Sequence, residues 1–275
     1  MSIERVEFNG QPALRQTLPE GDCVVVALHG GHVLSWRTAD GIERLYLSPR
    51  ALFDGHGAIR GGVPVCFPQF NQRGPLPKHG FARNLPWQAK EGDVLALTLH
   101  DGPATQAFWP ERFALRLQVG LAPGRLRLTL EAHNTGDTPW SFTAALHTYL
   151  RVDDAAAASL EGLQGAARWD AVRDRRFSEP APALRFGEEF DSVYAAPARP
   201  LHLAGGGTRL AITQSATCTE TVVWNPGPEL GARLADLPDD GWRHMLCVEA
   251  ACIDAPVVLA PGARWTAWQE LAALS

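Results

Sequence analysis

Lysine is almost missing from this chain. Of 25 basic side chains in 275 residues, only Lys78 and Lys90 are lysines and the rest are arginines. Arginine binds planar anions well, but so uniform a bias reads as genome composition rather than function. Nor is there a basic excess: 30 acidic residues against 25 basic ones give a formal net charge of −5. That excludes a general nucleic-acid binder, which carries a basic surplus or stripe. No apolar run approaches the ~18 residues of a membrane span. Residues 1–10 lack the basic-then-apolar pattern of a secretory signal. A cytoplasmic protein with no membrane partner is therefore expected. Cysteine is sparse and odd in number (Cys23, Cys66, Cys218, Cys247 and Cys252), with no pair at CxxC spacing. A chain this long needs no disulfide staples. Most of these thiols read as small hydrophobes, and the reactivity of Cys66 is left open. Also absent are HExxH, an Asp-rich calcium loop, GxGxxG, GxxxxGK[ST] and the GxSxG elbow. Nothing thus calls for a metal or a nucleotide cofactor, and a serine-nucleophile mechanism lacks support.

Alternation dominates what is there. Phe113–Val119 and Arg125–Glu131 place apolar residues at every second position, and Val94–Leu99, Thr221–Trp224 and Arg264–Trp268 read as further strands. Turn residues separate them at Ala122–Gly124, Asn134–Asp137, Gly205–Gly207 and Pro261–Gly262. The pattern predicts an all-β protein, a large antiparallel β-sandwich. One stretch disagrees: Asp153–Leu160 contains four consecutive alanines and has high helix propensity. So short a helix is marginal alone, and strand or loop is preferred because both flanks are β-patterned. No composition shift and no repeat divides the chain, so residues 1–275 are taken as one domain.

Residues 54–87 differ from the rest. Glycine and proline crowd there with Arg60, Gln69, Asn71, Gln72, Arg73, Lys78, His79 and Arg83, interleaved with Phe67, Phe70, Phe81 and Trp87. The aromatics argue for order, and a long irregular ordered segment in a β domain is usually functional. Of the nine histidines, His79 stands out by its setting beside Gly80 with Arg83 four residues on. His147 lies among apolar residues in what reads as the middle of a strand, where a satisfied core histidine is the default. Glu249 interrupts the run Met245–Ile253. It is either on a solvated strand face or buried, and burial would raise its pKa into the range of a useful base. Asp191, in Phe190–Tyr194, is a similar case.

Taken in order, six segments resemble the hexose-6-phosphate mutarotases (glucose-6-phosphate 1-epimerases) of the wider aldose 1-epimerase group. They are Ala58–Pro68, His79–Asn84, Leu146–Tyr149, Asp191–Tyr194, Val222–Pro226 and Cys247–Glu249. The resemblance spans about Leu28 to Trp265. It implies a galactose mutarotase-like supersandwich with the sugar on its concave face. It also implies roles: Glu249 takes the proton from the C1 hydroxyl, His147 protonates the ring oxygen, and His79 is an auxiliary polar contact. Asp191 holds a sugar hydroxyl, while Arg60, Arg83 and Lys78 face the phosphate. The implied reaction exchanges the α and β anomers of a hexose 6-phosphate, glucose 6-phosphate first among them, with no cofactor. The expected partner is a small sugar phosphate, and the expected state a monomer or weak dimer. A mutarotase for unphosphorylated aldoses and a non-catalytic sugar-phosphate binder are the alternatives. The chain departs from the family pattern at Phe67, Ser192 and Gly227.

Overall fold

The alternation becomes hairpins. Phe113–Ala122 and Arg125–Asn134 pair in antiparallel register around a turn at Gly124, whose φ of +64° suits glycine. Their apolar positions, Leu115, Leu117, Leu126, Leu128 and Leu130, are buried while the alternate positions are more open. In the computed structural model, which describes residues 2–274, this pair forms part of a nine-stranded sheet. An eight-stranded sheet faces it. Its strands are Arg175–Ser178, Ala167–Asp170, Phe190–Ala195, Glu220–Asn225, Met245–Leu259, Trp140–Leu146 and Val65–Cys66, with Tyr149–Arg151 also pairing to Met245–Leu259. A four-stranded sheet, Ser2–Phe8 through Val33–Arg37, completes the β structure. The pairings are antiparallel throughout these sheets, as the sandwich reading requires.

Parity in the long strand Met245–Leu259 explains how one sheet serves two environments. Leu246, Val248 and Cys252 join the main core with Leu126, Leu128 and Leu271 of the opposite sheet. The residues between them, Cys247, Glu249, Ala251 and Ile253, belong to the other face. Successive side chains of a strand point to opposite faces. The core face therefore holds the sandwich together, and its reverse is left to line a cavity.

The alanine-rich tract forms no helix. A turn at Ala155–Ala157 runs into the strand Ser159–Glu161, with Ala155 and Ala158 buried in the core. Burial in a β framework overrides local propensity there. Helices among the described residues are single turns such as Pro103–Gln106 and Gly227–Gly231. None is long and apolar enough to cross a membrane.

His147 is not mid-strand: it occupies, with Thr148, a two-residue break between Trp140–Leu146 and Tyr149–Arg151. The backbone explains the break. The His147 amide donates to Pro64 of the irregular segment, and the Thr148 amide turns back to Leu146. Register nevertheless runs straight through. Leu146 faces Ala250 and Tyr149 faces Cys247, which puts His147 opposite Glu249.

Candidate active site

A cavity of about 360 Å³ opens over the reverse face of the eight-stranded sheet, a size suited to a small ligand. Two kinds of structure line it. From strands come Asp191, Val222, Trp224 and Glu249, with His147 and Tyr149 at the break; from residues 54–87 come Arg60, Phe70, Asn71, Lys78, His79 and Arg83. All seven residues singled out in the sequence reach this cavity: His147, Glu249, His79, Arg60, Lys78, Arg83 and Asp191.

His147 Nε2 lies 3.4 Å from Glu249 Oε1. Glu249 is only 1% exposed and His147 7%. Burial raises the Glu249 pKa well above the carboxylate range, and the nearby Asp191 adds to this. Burial likewise pushes His147 well below the usual imidazole value, helped by His79 and the guanidinium of Arg83. Desolvation thus favours the uncharged pair, with the proton on the carboxyl. Glu249 Oε2 and His147 Nδ1 are buried without a hydrogen-bond partner, as is Arg83 Nε. Unsatisfied buried polar atoms are uncommon in native proteins, and three around one cavity mark it as a place where a ligand completes the bonding.

The cations are not equivalent. Arg60 is tied to Asp236 at 3.1 Å and donates to the Tyr149 hydroxyl. Among the described residues, the Arg83 side chain donates only to the Lys78 carbonyl. Among the described residues, neither Lys78 nor Arg83 has a carboxylate partner. On the strand side the charge is negative: Asp191 and Glu189 line the cavity, and burial raises Asp191 to about 6, with Glu189 contributing. The cavity is therefore positive where the irregular segment forms its wall and acidic where Phe190–Ala195 does.

Several site residues were not singled out from the sequence. Tyr149 stacks on the His147 ring at 4.8 Å and 10°, and Trp224 packs edge-on to both. Their signal was available: each lies two residues along a strand from, or in register with, a chosen residue, hence on the same face. Phe70 packs edge-on against His79 at 5.0 Å. The three family departures lie outside the cavity lining. Phe67 is in the aromatic core, and Ser192 faces inward to accept from Arg168. Gly227 has φ +62°, and a Cβ there would sit 2.4 Å from the Glu189 nitrogen.

Among the described residues, His147, Cys247 and Glu249 form a group with metal-ligand chemistry, their donor atoms within 4.8 Å of one another. Burial pushes the Cys247 thiol well up, so it does not offer a ready thiolate. All five cysteines are free and buried.

The family profile described as aldose 1-epimerase matches residues 16–272. The chain belongs to the aldose 1-epimerase family. It is 38% identical over 259 residues to an Escherichia coli K12 protein named "Putative glucose-6-phosphate 1-epimerase", covering 86% of this chain and 85% of that one. A protein of the same name from Cenchrus ciliaris is 37% identical over 262 residues, covering 88% and 79%. A crystal structure described as a "putative mutarotase" from Salmonella typhimurium superposes with a TM-score of 0.89 at 30% identity, over 99% and 94% of the two chains. A galactose mutarotase related enzyme from Lactobacillus acidophilus shares the fold, with a TM-score of 0.76 at 16% identity over 100% and 98% of the chains. The architecture of this aldose 1-epimerase family member is thus the galactose mutarotase-like sandwich.

Proposed function

We propose that this enzyme interconverts the α and β anomers of a hexose 6-phosphate, glucose 6-phosphate first among them. The observation that carries the reading is a buried His147–Glu249 pair in one cavity with two cations, Lys78 and Arg83, that lack acidic partners among the described residues. Names of the bacterial and plant relatives agree with it. Anomerisation opens the hemiacetal, turns the C1 aldehyde and closes it on the other face. Opening removes the C1 hydroxyl proton and delivers one to the ring oxygen. A positioned acid–base pair supplies about 10²–10⁴-fold of rate for such a step.

In this reading Glu249 is the base and His147 the acid. Burial by itself favours the proton on Glu249. Sugar hydroxyls donating to the carboxylate favour its ionised form, and the proton then rests on His147, ready for the ring oxygen. Closure runs the same transfers backwards, so no net proton is consumed and neither metal nor cofactor is called for. His79 is a polar contact at the reacting end, and Asp191 holds a sugar hydroxyl. A phosphate monoester carries about −1.5 to −2 charges at pH 7. Lys78 and Arg83 receive it, with Arg60 reaching it from its bond to Asp236. Each charge-assisted hydrogen bond contributes about 1.5–3 kcal/mol, enough to separate phosphorylated from free sugar. The protein acts in the cytoplasm as a monomer or weak dimer, without nucleic-acid or membrane partners.

Exchange NMR of the glucose 6-phosphate anomers tests this directly. Catalytic protein must raise the exchange rate above that of buffer; no change overturns the reading. Acceleration of free glucose equal to that of its phosphate would reduce it to a general aldose mutarotase. Thermal stabilisation by the phosphate without faster exchange would leave only a binder.

A further inference from the structure

Cys66 is buried beneath the site and takes no part in the chemistry described so far. It lies on the strand Val65–Cys66, paired with Ala145, two residues from His147. Its Sγ sits 3.3 Å from His79 Nδ1. The same nitrogen lies 3.3 Å from the backbone N–H of Asn71, which can only donate. So long an amide contact favours Nδ1 as the acceptor without fixing it alone, and the thiol completes its surroundings as a second donor. The contact is held from several sides. Asn71 and His79 both adopt left-handed backbone, φ +49° and +64°, and the His79 amide donates back to the Asn71 carbonyl at 3.0 Å. Residues other than glycine rarely adopt this conformation, and it persists only where surrounding contacts impose it. Phe70 closes one side of the ring. Turning the ring over would set a C–H against both donors.

We infer that Cys66 is a positioning residue: with the Asn71 amide, its thiol fixes His79 in the Nε2–H tautomer, so that His79 gives the ligand one hydrogen-bond donor and no base. This rests on the reading of His79 as a ligand contact. Which ring nitrogen carries the proton is set by the bond the other one makes. Two consequences follow for the chemistry. A lone pair at Nε2 would compete with Glu249 for sugar hydroxyls, whereas an N–H there supports oxygen as it gathers charge during ring opening. A charged His79 would also oppose the charge that His147 has to carry, because the two rings are 5.3 Å apart. Burial discourages the protonation of His79 most, and Arg83, Lys78 and Arg60 of its own segment add to this, outweighing Asp191, Glu189 and Glu249 across the cavity and bringing it down to about 3. Cys66 is itself a thiol rather than a thiolate, since burial pushes its pKa up, so its proton is available to donate.

The test is long-range 1H–15N correlation NMR of the histidine rings, with His79 assigned by its loss in His79→Gln. In the native protein the ring should show the Nε2–H pattern, unchanged between pH 5 and 8. A native Nδ1–H pattern overturns the inference before any variant is made. Cys66→Ala should mix the tautomers and lower kcat/KM for glucose 6-phosphate by about three- to tenfold, the range of one neutral hydrogen bond. Cys66→Ser, which restores a donor, should recover the native pattern and most of the activity. An unchanged tautomer and full activity in Cys66→Ala also overturn it. The ring spectra need no substrate. If His79→Gln retained full exchange activity, the ligand-contact reading would fall, while a native Nε2–H pattern lost in Cys66→Ala would still support the locked tautomer.

Discussion

The two halves of the cavity are built differently. The acid–base pair rides on a ladder of hydrogen-bonded strands, where register sets the spacing of His147 and Glu249. The cationic half rides on residues 54–87, where regular structure amounts to Val65–Cys66, one turn at Ala82–Asn84 and isolated bridges. That half is shaped by side-chain bonds and left-handed residues instead. Gln69 binds Asn71 and Leu76, and Gly80 presses against Phe67. Strands fix the distance over which a proton moves. An irregular segment can bring three cations and an imidazole to one point, which a straight strand with its two-residue repeat cannot do. Replacements in the first half should therefore change turnover, and replacements in the second should change binding or shape.

The largest effect belongs to the strand half. Glu249→Gln should lower kcat for anomer exchange by about 10²–10⁴-fold with little change in KM and no loss of melting temperature, because an amide fills the buried site without charge. Exchange NMR and a thermal melt check both; a large rise in KM instead would blur the division. Gly80→Ala strikes the irregular half at its tightest point. A Cβ there would lie 2.0 Å from the Phe67 carbonyl oxygen, at a φ of +70°. A loss of about 3 kcal/mol in denaturant unfolding is expected, together with raised KM. Full stability would mean that the segment is looser than its contacts imply.

Arg83→Ala should raise KM for glucose 6-phosphate by about 10–100-fold, following from 1.5–3 kcal/mol for a charge-assisted bond, while activity on free glucose stays where it was. An equal loss on both sugars would move Arg83 from the phosphate to the sugar ring. The smallest effect is at Asp191. Its folded value, about 6, lies above that of an unfolded aspartate. Its contribution to stability is thus fully present below about pH 4 and is lost as pH rises through 6. Asp191→Asn should then gain up to about 2 kcal/mol over the native protein at pH 8 relative to pH 4, allowing for solvent at the cavity mouth. A pH-independent difference between the two would contradict the burial of this carboxyl.

Period-two patterning made the strands legible, and the crowding of glycine, proline and polar groups marked residues 54–87. Their functional meaning came through because charge and histidine clustered there in an acidic chain. What stayed hidden was partnership over distance. Nothing local pairs His147 with Glu249, about a hundred residues apart; the strand register does so. Local pattern also put His147 inside a strand, since it reports polarity and not the Pro64 carbonyl that draws the backbone out of the ladder. The part played by Cys66 stayed open for the same reason: its neighbour at His79 is supplied by a loop that returns thirteen residues later.

The alignment across the ladder also bears on how such chains can drift. Between Ala144 and Tyr149 the offset to the opposing strand is constant, and its one shift falls earlier, between Phe142 and Ala144, opposite Cys252 and Val257. A single-residue insertion or deletion inside the constant stretch would turn either His147 or Glu249 toward the core. The same length change near residues 253–256 is absorbed by an irregularity already present. Descendants of this gene should therefore gain and lose residues on the far side of that shift and keep the stretch between it and Tyr149 at one fixed length.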